Sequence, residues 1–154
     1  MTATQVFSVA NLIALIGWLI LIILGRKMWV ASLVTGAILP LLFAALYSWL
    51  LISHWSEAKG GFGSLADVQM LFSNEWILLA GWVHYLAFDL FIGSWEVRDA
   101  QHFGIPHWAV IPGLVLTFLF GPVGLLLYFV IRMFRTRKLN IDPSAEGVKR
   151  PQPQ

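Results

Sequence analysis

Residues 6–24 have the sequence VFSVANLIALIGWLILIIL, which contains no charged side chain. At a rise of about 1.5 Å per residue, a helix of this length spans most of the roughly 30 Å hydrocarbon core of a bilayer. The residues that follow, Gly25, Arg26 and Lys27, supply a helix stop and interfacial charges. This run therefore predicts a transmembrane helix near the start of the chain.

The composition of the whole chain indicates that lipid is its solvent. Of the 154 residues, 58% are hydrophobic and only 12% are charged, and the mean hydropathy is +0.77. So few charges could not cover the surface of a soluble domain of this size. The net charge of +2 does not indicate a nucleic-acid partner, because the basic residues lie at the predicted helix ends. Cysteine is absent, which excludes disulfides and thiolate chemistry.

Three further apolar runs resemble the first one and lie at residues 29–52, 76–95 and 108–134. We therefore predict an all-α fold, an integral membrane bundle of four transmembrane helices within residues 1–138. The composition becomes polar after this domain, which predicts a disordered tail over residues 139–154.

Glycine and proline predict local features inside this bundle. Pro40 predicts a kink in the second span, and the Gly121-Pro122 step predicts a bend in the fourth. The polar loop between the second and third spans contains a capping-box pattern from Ser64 to Asp67. This pattern predicts a short amphipathic helix that begins after Ser64.

An even number of spans places both termini on the same side of the membrane. That side would hold Lys59 and the basic cluster that follows Phe134, and the opposite side would hold Arg98 and the pair Arg26 and Lys27. The positive-inside rule then favours cytoplasmic termini, although the Arg26-Lys27 pair argues against this orientation.

The third span differs from the others because it contains His84, Tyr85 and Asp89. An ionisable side chain at the centre of a bilayer costs roughly 2.5 to 3.5 kcal/mol on insertion scales, so such residues are functional candidates. His84 and Asp89 are about 7.5 Å apart along a helix axis and about 140° apart around it. They cannot pair with each other, but they could flank one groove and contact opposite ends of one ligand.

Each of these two residues also has an alternative interpretation. His84 could equally form a hydrogen bond that joins two helices. Asp89 must either be neutral or find a cation, such as a protonated His84 of a facing subunit. The second arrangement implies a homo-oligomer, whereas a neutral Asp89 is suited to proton donation.

The polar residues near the end of the third span are interpreted as solvated interfacial charges. Their spacing matches no established metal signature, and we therefore predict no metal site. Asn11 in the first span is more readily interpreted as a hydrogen-bond donor to another helix than as a ligand contact. The weak metal candidates lie near the end of the third span and just after it, and they are Glu96, Asp99, His102 and His107.

Two motifs point to a family: WVHYLAFDLFIGSW at residues 82–95, followed by Asp99, and LTFLFGPVGLL at residues 116–126. Together with FSVAN at residues 7–11, they resemble the abscisic-acid-deficient-four-like family of small four-helix membrane proteins. The resemblance implies a link to the xanthophyll neoxanthin, which plant members are required to make from violaxanthin. Met1 leads almost directly into a span without a transit peptide, so we expect a bacterial-type member in the inner membrane.

The resemblance further implies that the ligand is a carotenoid or a similar long apolar molecule. Conversion of an epoxy-carotenoid to an allene needs a proton for the epoxide oxygen and removal of another proton from the polyene end, without redox chemistry. By type and position, Asp89 would be the acid and His84 the base in such a neoxanthin synthase-like isomerase. The residues expected to contact the ligand are Trp82, Tyr85, Phe88, Trp95 and Asn11.

A different class of function uses the same residues without catalysis. In that alternative, the protein is a pigment-binding or scaffold protein, and its polar residues only orient the ligand. A small proton-coupled exporter ranks last, because such proteins rely on a carboxylate in the first helix, where this chain has only Asn11. The expected partners are the lipid bilayer and a lipophilic ligand such as a carotenoid, and no nucleic acid.

Overall fold

The structure is a computed structural model that describes residues 1–137, 139 and 141. Within these residues all regular structure is helical, which confirms the predicted all-α class. Apart from residues 139 and 141, the predicted tail lies outside the described residues. The six α-helices are α1 (Ala3–Leu24), α2 (Leu39–His54), α3 (Leu65–Leu71), α4 (Glu75–His102), α5 (His107–Phe120) and α6 (Pro122–Thr136).

Three helical segments are long and apolar enough to cross a membrane, as expected for a membrane protein. They are α1, the segment Val30–Glu57 that contains α2, and α4. Each of them overlaps one of the first three predicted spans. In α1, large apolar side chains such as Leu12 and Leu19 are exposed on the outer surface, where a bilayer would cover them.

The second segment departs from regular α-helix before Pro40, where the sequence predicts a kink. A π-helical stretch, Val30–Ile38, directly precedes α2, and the Leu39 N–H donates to Val34 O, five residues earlier. Proline has no N–H, and its ring displaces the preceding carbonyls, which favours this wider turn. The short helix α3 also begins as predicted, because the Ser64 hydroxyl accepts a hydrogen bond of 3.1 Å from the Asp67 N–H.

The fourth predicted span is not a single helix. At Gly121 the backbone takes φ 48° and ψ −100°, and the chain reverses direction there. α5 and α6 then lie antiparallel, because Gly113 faces Tyr128, and the Arg135 guanidinium lies 5.7 Å from the Trp108 ring. We call α5 and α6 together the hairpin. The predicted bend is thus a full reversal, and the prediction of one continuous fourth helix is wrong.

The length of each hairpin arm has a direct consequence for the membrane arrangement. α5 has 14 residues and α6 has 15, and each is therefore roughly 21 to 23 Å long at about 1.5 Å per residue. Neither arm is long enough to cross a hydrocarbon core of about 30 Å. The described chain therefore combines three helices of spanning length with a shorter helical hairpin.

Contacts between helix ends show how the elements run. The Gln101 side chain donates to Gly25 O over 2.7 Å, so α1 and α4 end together. The His54 ring stacks on Trp76 at 4.5 Å, so α2 ends where α4 begins. α1 and α4 are thus parallel to each other, and α2 is antiparallel to both.

The two termini of the described chain lie at opposite ends of the bundle. Met1 lines a cavity together with Trp49 and Trp76, at what we call the loop end, where α2 ends and α4 begins. Arg135 lies where the hairpin opens beside the last turn of α4, at what we call the arginine end. Met1 and Arg135 therefore lie at opposite ends of the bundle, because the hairpin returns to the end from which it started. The last residues of the chain, to which the prediction of termini on one side applies, lie outside the described residues.

Candidate functional site

One face of α4 carries three acidic residues, Asp89, Glu96 and Asp99, and all three contact the hairpin. Their spacing of seven and three residues places them along the same side of a helix. Asp99 lies closest to the arginine end, and Asp89 lies near the middle of α4. The hairpin therefore packs against a column of carboxyl groups that reaches into the centre of the bundle.

Asp99 is the anchor of the hairpin. Its carboxyl accepts a hydrogen bond of 2.7 Å from Arg132 Nε and a longer one of 3.4 Å from Arg132 Nη2. The Tyr128 hydroxyl donates to the same carboxyl, and the Arg132 guanidinium also lies 4.3 Å from the Phe103 ring centroid. Arg132 is fully buried. The interpretation of Asp99 as a solvated interfacial charge is therefore wrong.

Glu96 is also buried, although the sequence suggested an interfacial position. One carboxyl oxygen, Oε1, accepts a hydrogen bond of 2.9 Å from the Thr117 hydroxyl in α5. The other oxygen, Oε2, has no hydrogen-bond partner among the described residues. The hairpin excludes Glu96 from solvent. The sequence of α4 by itself does not contain this information.

The two histidines of the weak metal cluster have other neighbours. The His107 ring forms a hydrogen bond of 2.7 Å between Nε2 and Ile22 O. The His102 ring packs edge-on against Phe103 at 5.1 Å. In the part of the chain that the structure describes, no three His, Asp or Glu side chains are arranged to hold a metal ion.

Asp89 lies at the tip of the hairpin. A β-carbon placed on Gly121 would lie 3.0 and 3.1 Å from the two carboxyl oxygens, so the absence of a side chain at Gly121 lets the tip approach Asp89. The positive φ of Gly121 also favours glycine at the reversal. Asp89 Oδ2 is buried and has no hydrogen-bond partner within the described residues.

Beyond the tip, the hairpin no longer covers α4. We call this uncovered region the open face and define it by Trp82, Tyr85, Phe88 and Asp89. Trp82 and Phe88 are 40% and 56% exposed, so apolar molecules in the bilayer could reach them. Tyr85 is half-buried, and its hydroxyl donates to Phe118 O over 3.2 Å next to the Asp89 carboxyl.

Several residues predicted to contact a ligand meet at the open face. The Trp82 ring lies 5.3 Å from the Tyr85 ring. The Trp82 indole N–H donates to Asn11 Oδ1 over 3.0 Å, which ties α4 to α1. Asn11 therefore joins two helices as expected, but as the acceptor, because its own amide group donates to Phe7 O in the same helix. Trp95 lies elsewhere, since its ring packs against Tyr128 and Phe129 in the contact between α4 and α6.

His84 lies on another flank of α4 and not in a common groove with Asp89. Its exposed ring stacks on Phe88 at 4.6 Å and meets Tyr47 of α2 edge-on at 5.5 Å. His84 and Tyr47 line a largely apolar cleft of about 400 Å³ that does not include Asp89. The expected shared groove is therefore divided into two regions, which adjoin at Phe88.

The sequence interpretation missed the residues through which the hairpin contacts α4. The sequence assigns Thr117 and Tyr128 to a single span without a role, and it indicates for Arg132 only a charge at the end of that span. One signal was present, because small residues recur at every fourth position in Gly113, Thr117 and Gly121. Such a pattern is typical of helices that pack closely in membranes.

The chain was compared with protein families, curated proteins and solved structures. The model of the family described as ABA DEFICIENT 4-like matches residues 5–128, from the first turn of α1 into α6. This range includes the three acidic residues of α4, His84 and the tip of the hairpin. No curated protein and no solved structure shows significant similarity to the chain. Because the family model covers most of the sequence, the chain belongs to the ABA DEFICIENT 4-like family.

Proposed function

We propose that this membrane protein binds a carotenoid or a similar long apolar molecule at the open face and isomerises an epoxide group of that ligand. The observation on which this proposal depends is the position of Asp89. Its carboxyl has a buried oxygen for which the described residues offer no hydrogen-bond partner, and it lies beside aromatic side chains that the bilayer can reach. Membership of the ABA DEFICIENT 4-like family supports the same assignment.

The proposed reaction is an acid–base isomerisation. Asp89 donates a proton to the epoxide oxygen as a carbon–oxygen bond breaks, and a base removes a proton from the polyene end to form the allene. One proton is added and one is lost, so no oxidant or reductant is needed. His84 is the proposed base, because its exposed ring stacks on Phe88 at the edge of the open face.

We expect Asp89→Asn and His84→Ala each to reduce product formation at least about 100-fold. This value is the lower end of the rate enhancement that a general acid or base typically provides. The measurement compares pigments extracted from a host that accumulates violaxanthin and expresses each variant at equal levels. Glu57→Gln is the matched control, since Glu57 is an exposed acidic residue of the loop between α2 and α3. Undiminished product from Asp89→Asn would refute the assignment of the acid.

A second candidate function is pigment binding without catalysis. The observation that favours it is the separation of His84 and Asp89 onto different flanks of α4. In this case, unaltered pigment would co-purify with the wild-type protein, and no new product would form. Pigment extracted from the purified protein therefore distinguishes the two functions.

We also propose an orientation in which the arginine end faces the cytoplasm. Arg26, Lys27, Arg98, Arg135 and Arg137 belong to this end, since they flank the helix ends that meet there. Among the described residues the loop end has a single basic side chain, at position 59. The positive-inside rule then places the hairpin opening in the cytoplasm and the N-terminus outside. The hairpin removes the conflict at the Arg26-Lys27 pair, because this pair now lies on the same side as Arg98, Arg135 and Arg137.

The absence of cysteine allows a clean test of this orientation. Ser56→Cys and His102→Cys introduce single thiols at exposed positions near the loop end and the arginine end. In spheroplasts we expect a membrane-impermeant maleimide to label the cysteine at position 56, and to label the one at position 102 only after lysis. Four spans with cytoplasmic termini predict the opposite labelling pattern.

A further inference from the structure

A cleft lies on the outer side of the hairpin at the arginine end. It has a volume of about 330 Å³ and is lined by Trp108, Ala109, Pro112, Ile131, Phe134 and Arg135. Its walls are apolar apart from one guanidinium group, which comes from the last turns of α6. A cleft of this kind can hold an acyl chain while a charged group remains at its rim.

The rim of the cleft combines a cation with an interfacial aromatic residue. The Arg135 guanidinium lies 5.7 Å from the Trp108 ring centroid, and the Trp108 side chain is 67% exposed. Arg135 forms no salt bridge with a carboxylate among the described residues. Trp108 is of the type that membrane proteins place at the level of lipid headgroups.

Two further cations lie at the same end of the bundle as the cleft. The His107 ring forms a hydrogen bond of 2.7 Å with Ile22 O, and a β-carbon at Gly25 would lie 3.2 Å from the same ring. The turn that carries Arg26 and Lys27 therefore lies beside the first turn of α5. Both side chains are exposed. The positive charge at the arginine end thus comes from two separate parts of the chain.

We infer that this cleft binds an anionic phospholipid. The phosphate would pair with Arg135, the Trp108 ring would lie at the level of the glycerol, and one acyl chain would follow the apolar wall. Basic residues near the membrane surface attract anionic lipids, and several cations together strengthen this attraction. The apolar wall favours a lipid over free phosphate, which has no chain to fill it. This site is separate from the open face and does not depend on the proposed reaction.

The test uses the purified full-length protein in a mild neutral detergent. Native mass spectrometry measures the fraction of protein that retains phosphatidylglycerol or phosphatidylcholine with identical acyl chains. We expect the wild type to retain phosphatidylglycerol preferentially, and Arg135→Gln to reduce this retention about fivefold, as expected for the loss of one cation near a lipid surface. Arg135→Lys should retain most of the binding, because it preserves the charge.

Lys59→Gln is the matched control, because Lys59 is an exposed basic residue at the opposite end of the bundle. Its retention of phosphatidylglycerol should equal that of the wild type. Equal retention of both lipids by the wild type, or equal losses in Arg135→Gln and Lys59→Gln, would overturn the proposal. Full displacement of the lipid by inorganic phosphate at equal concentration would also overturn it, because the apolar wall would then add nothing to the binding of an anion.

Discussion

Replacing Arg132 with methionine is expected to lower the free energy of unfolding by about 3–5 kcal/mol, the range for breaking a buried ion pair by removing one partner. Arg132 is fully buried, and its Nε lies 2.7 Å from Asp99 Oδ2. Methionine fills part of the volume but leaves the Asp99 carboxylate without its cation. The Tyr128 hydroxyl still donates to this carboxylate, but a neutral donor does not balance a full charge.

Thermal unfolding in detergent, followed by circular dichroism, measures this effect. Arg26→Met is the control, because it removes an exposed arginine at the same end of the bundle and should change stability by less than about 0.5 kcal/mol. The double substitution Arg132→Met with Asp99→Leu should recover much of the loss, since it leaves no unpaired charge. If Arg132→Met were no less stable than Arg26→Met, the ion pair would not anchor the hairpin.

Gly124→Ala is expected to separate the two arms of the hairpin. A β-carbon on Gly124 would overlap the backbone nitrogen and the hydroxyl of Thr117. A backbone atom cannot rotate away as a flexible side chain can, so α5 and α6 must move apart. Overpacking of a well-packed core typically costs about 1–3 kcal/mol, and the overlap with backbone here places the expected loss in the upper part of that range.

Gly113→Ala provides a matched control, because Gly113 also lies in the contact between α5 and α6. A β-carbon at Gly113 would meet its nearest neighbour, Tyr128 Cβ, at 3.5 Å, which is an ordinary van der Waals distance. The same chemical change should therefore be tolerated there and lower stability by less than about 1 kcal/mol, the cost expected where packing is already permissive. Equal melting temperatures for the two variants would contradict the close approach of the hairpin arms.

Gly124→Ala should also affect the proposed chemistry. Gly121 at the tip approaches the Asp89 carboxyl because the two arms hold it there. Separation of the arms would change the surroundings of Asp89 without altering any side chain of the open face. We therefore expect product formation to fall in Gly124→Ala and to be retained in Gly113→Ala.

The helices of spanning length could be predicted from the amino-acid sequence because their signals are local. An uncharged run of 19 residues at positions 6–24 has few stable alternatives to a helix in a bilayer. The Ser64 cap is also a short-range signal, since its partner Asp67 is three residues away. The unusual polarity around Asp89 is visible in the sequence for the same reason, because the cost of burying a carboxyl in lipid depends mainly on its immediate surroundings.

Other features depend on contacts between residues that are distant in the chain. Hydropathy along residues 108–134 remains high on both sides of Gly121, so it cannot show that the chain turns back. The reversal determines that Arg132 meets Asp99, 33 residues away, and that Arg135 lies at the end of the bundle opposite Met1. The tertiary structure also determines which flank of α4 is covered, and it therefore separates His84 from Asp89. The sequence of a helix does not show which of its sides the neighbouring helices cover. Only the packing of these neighbours determines the side that remains open.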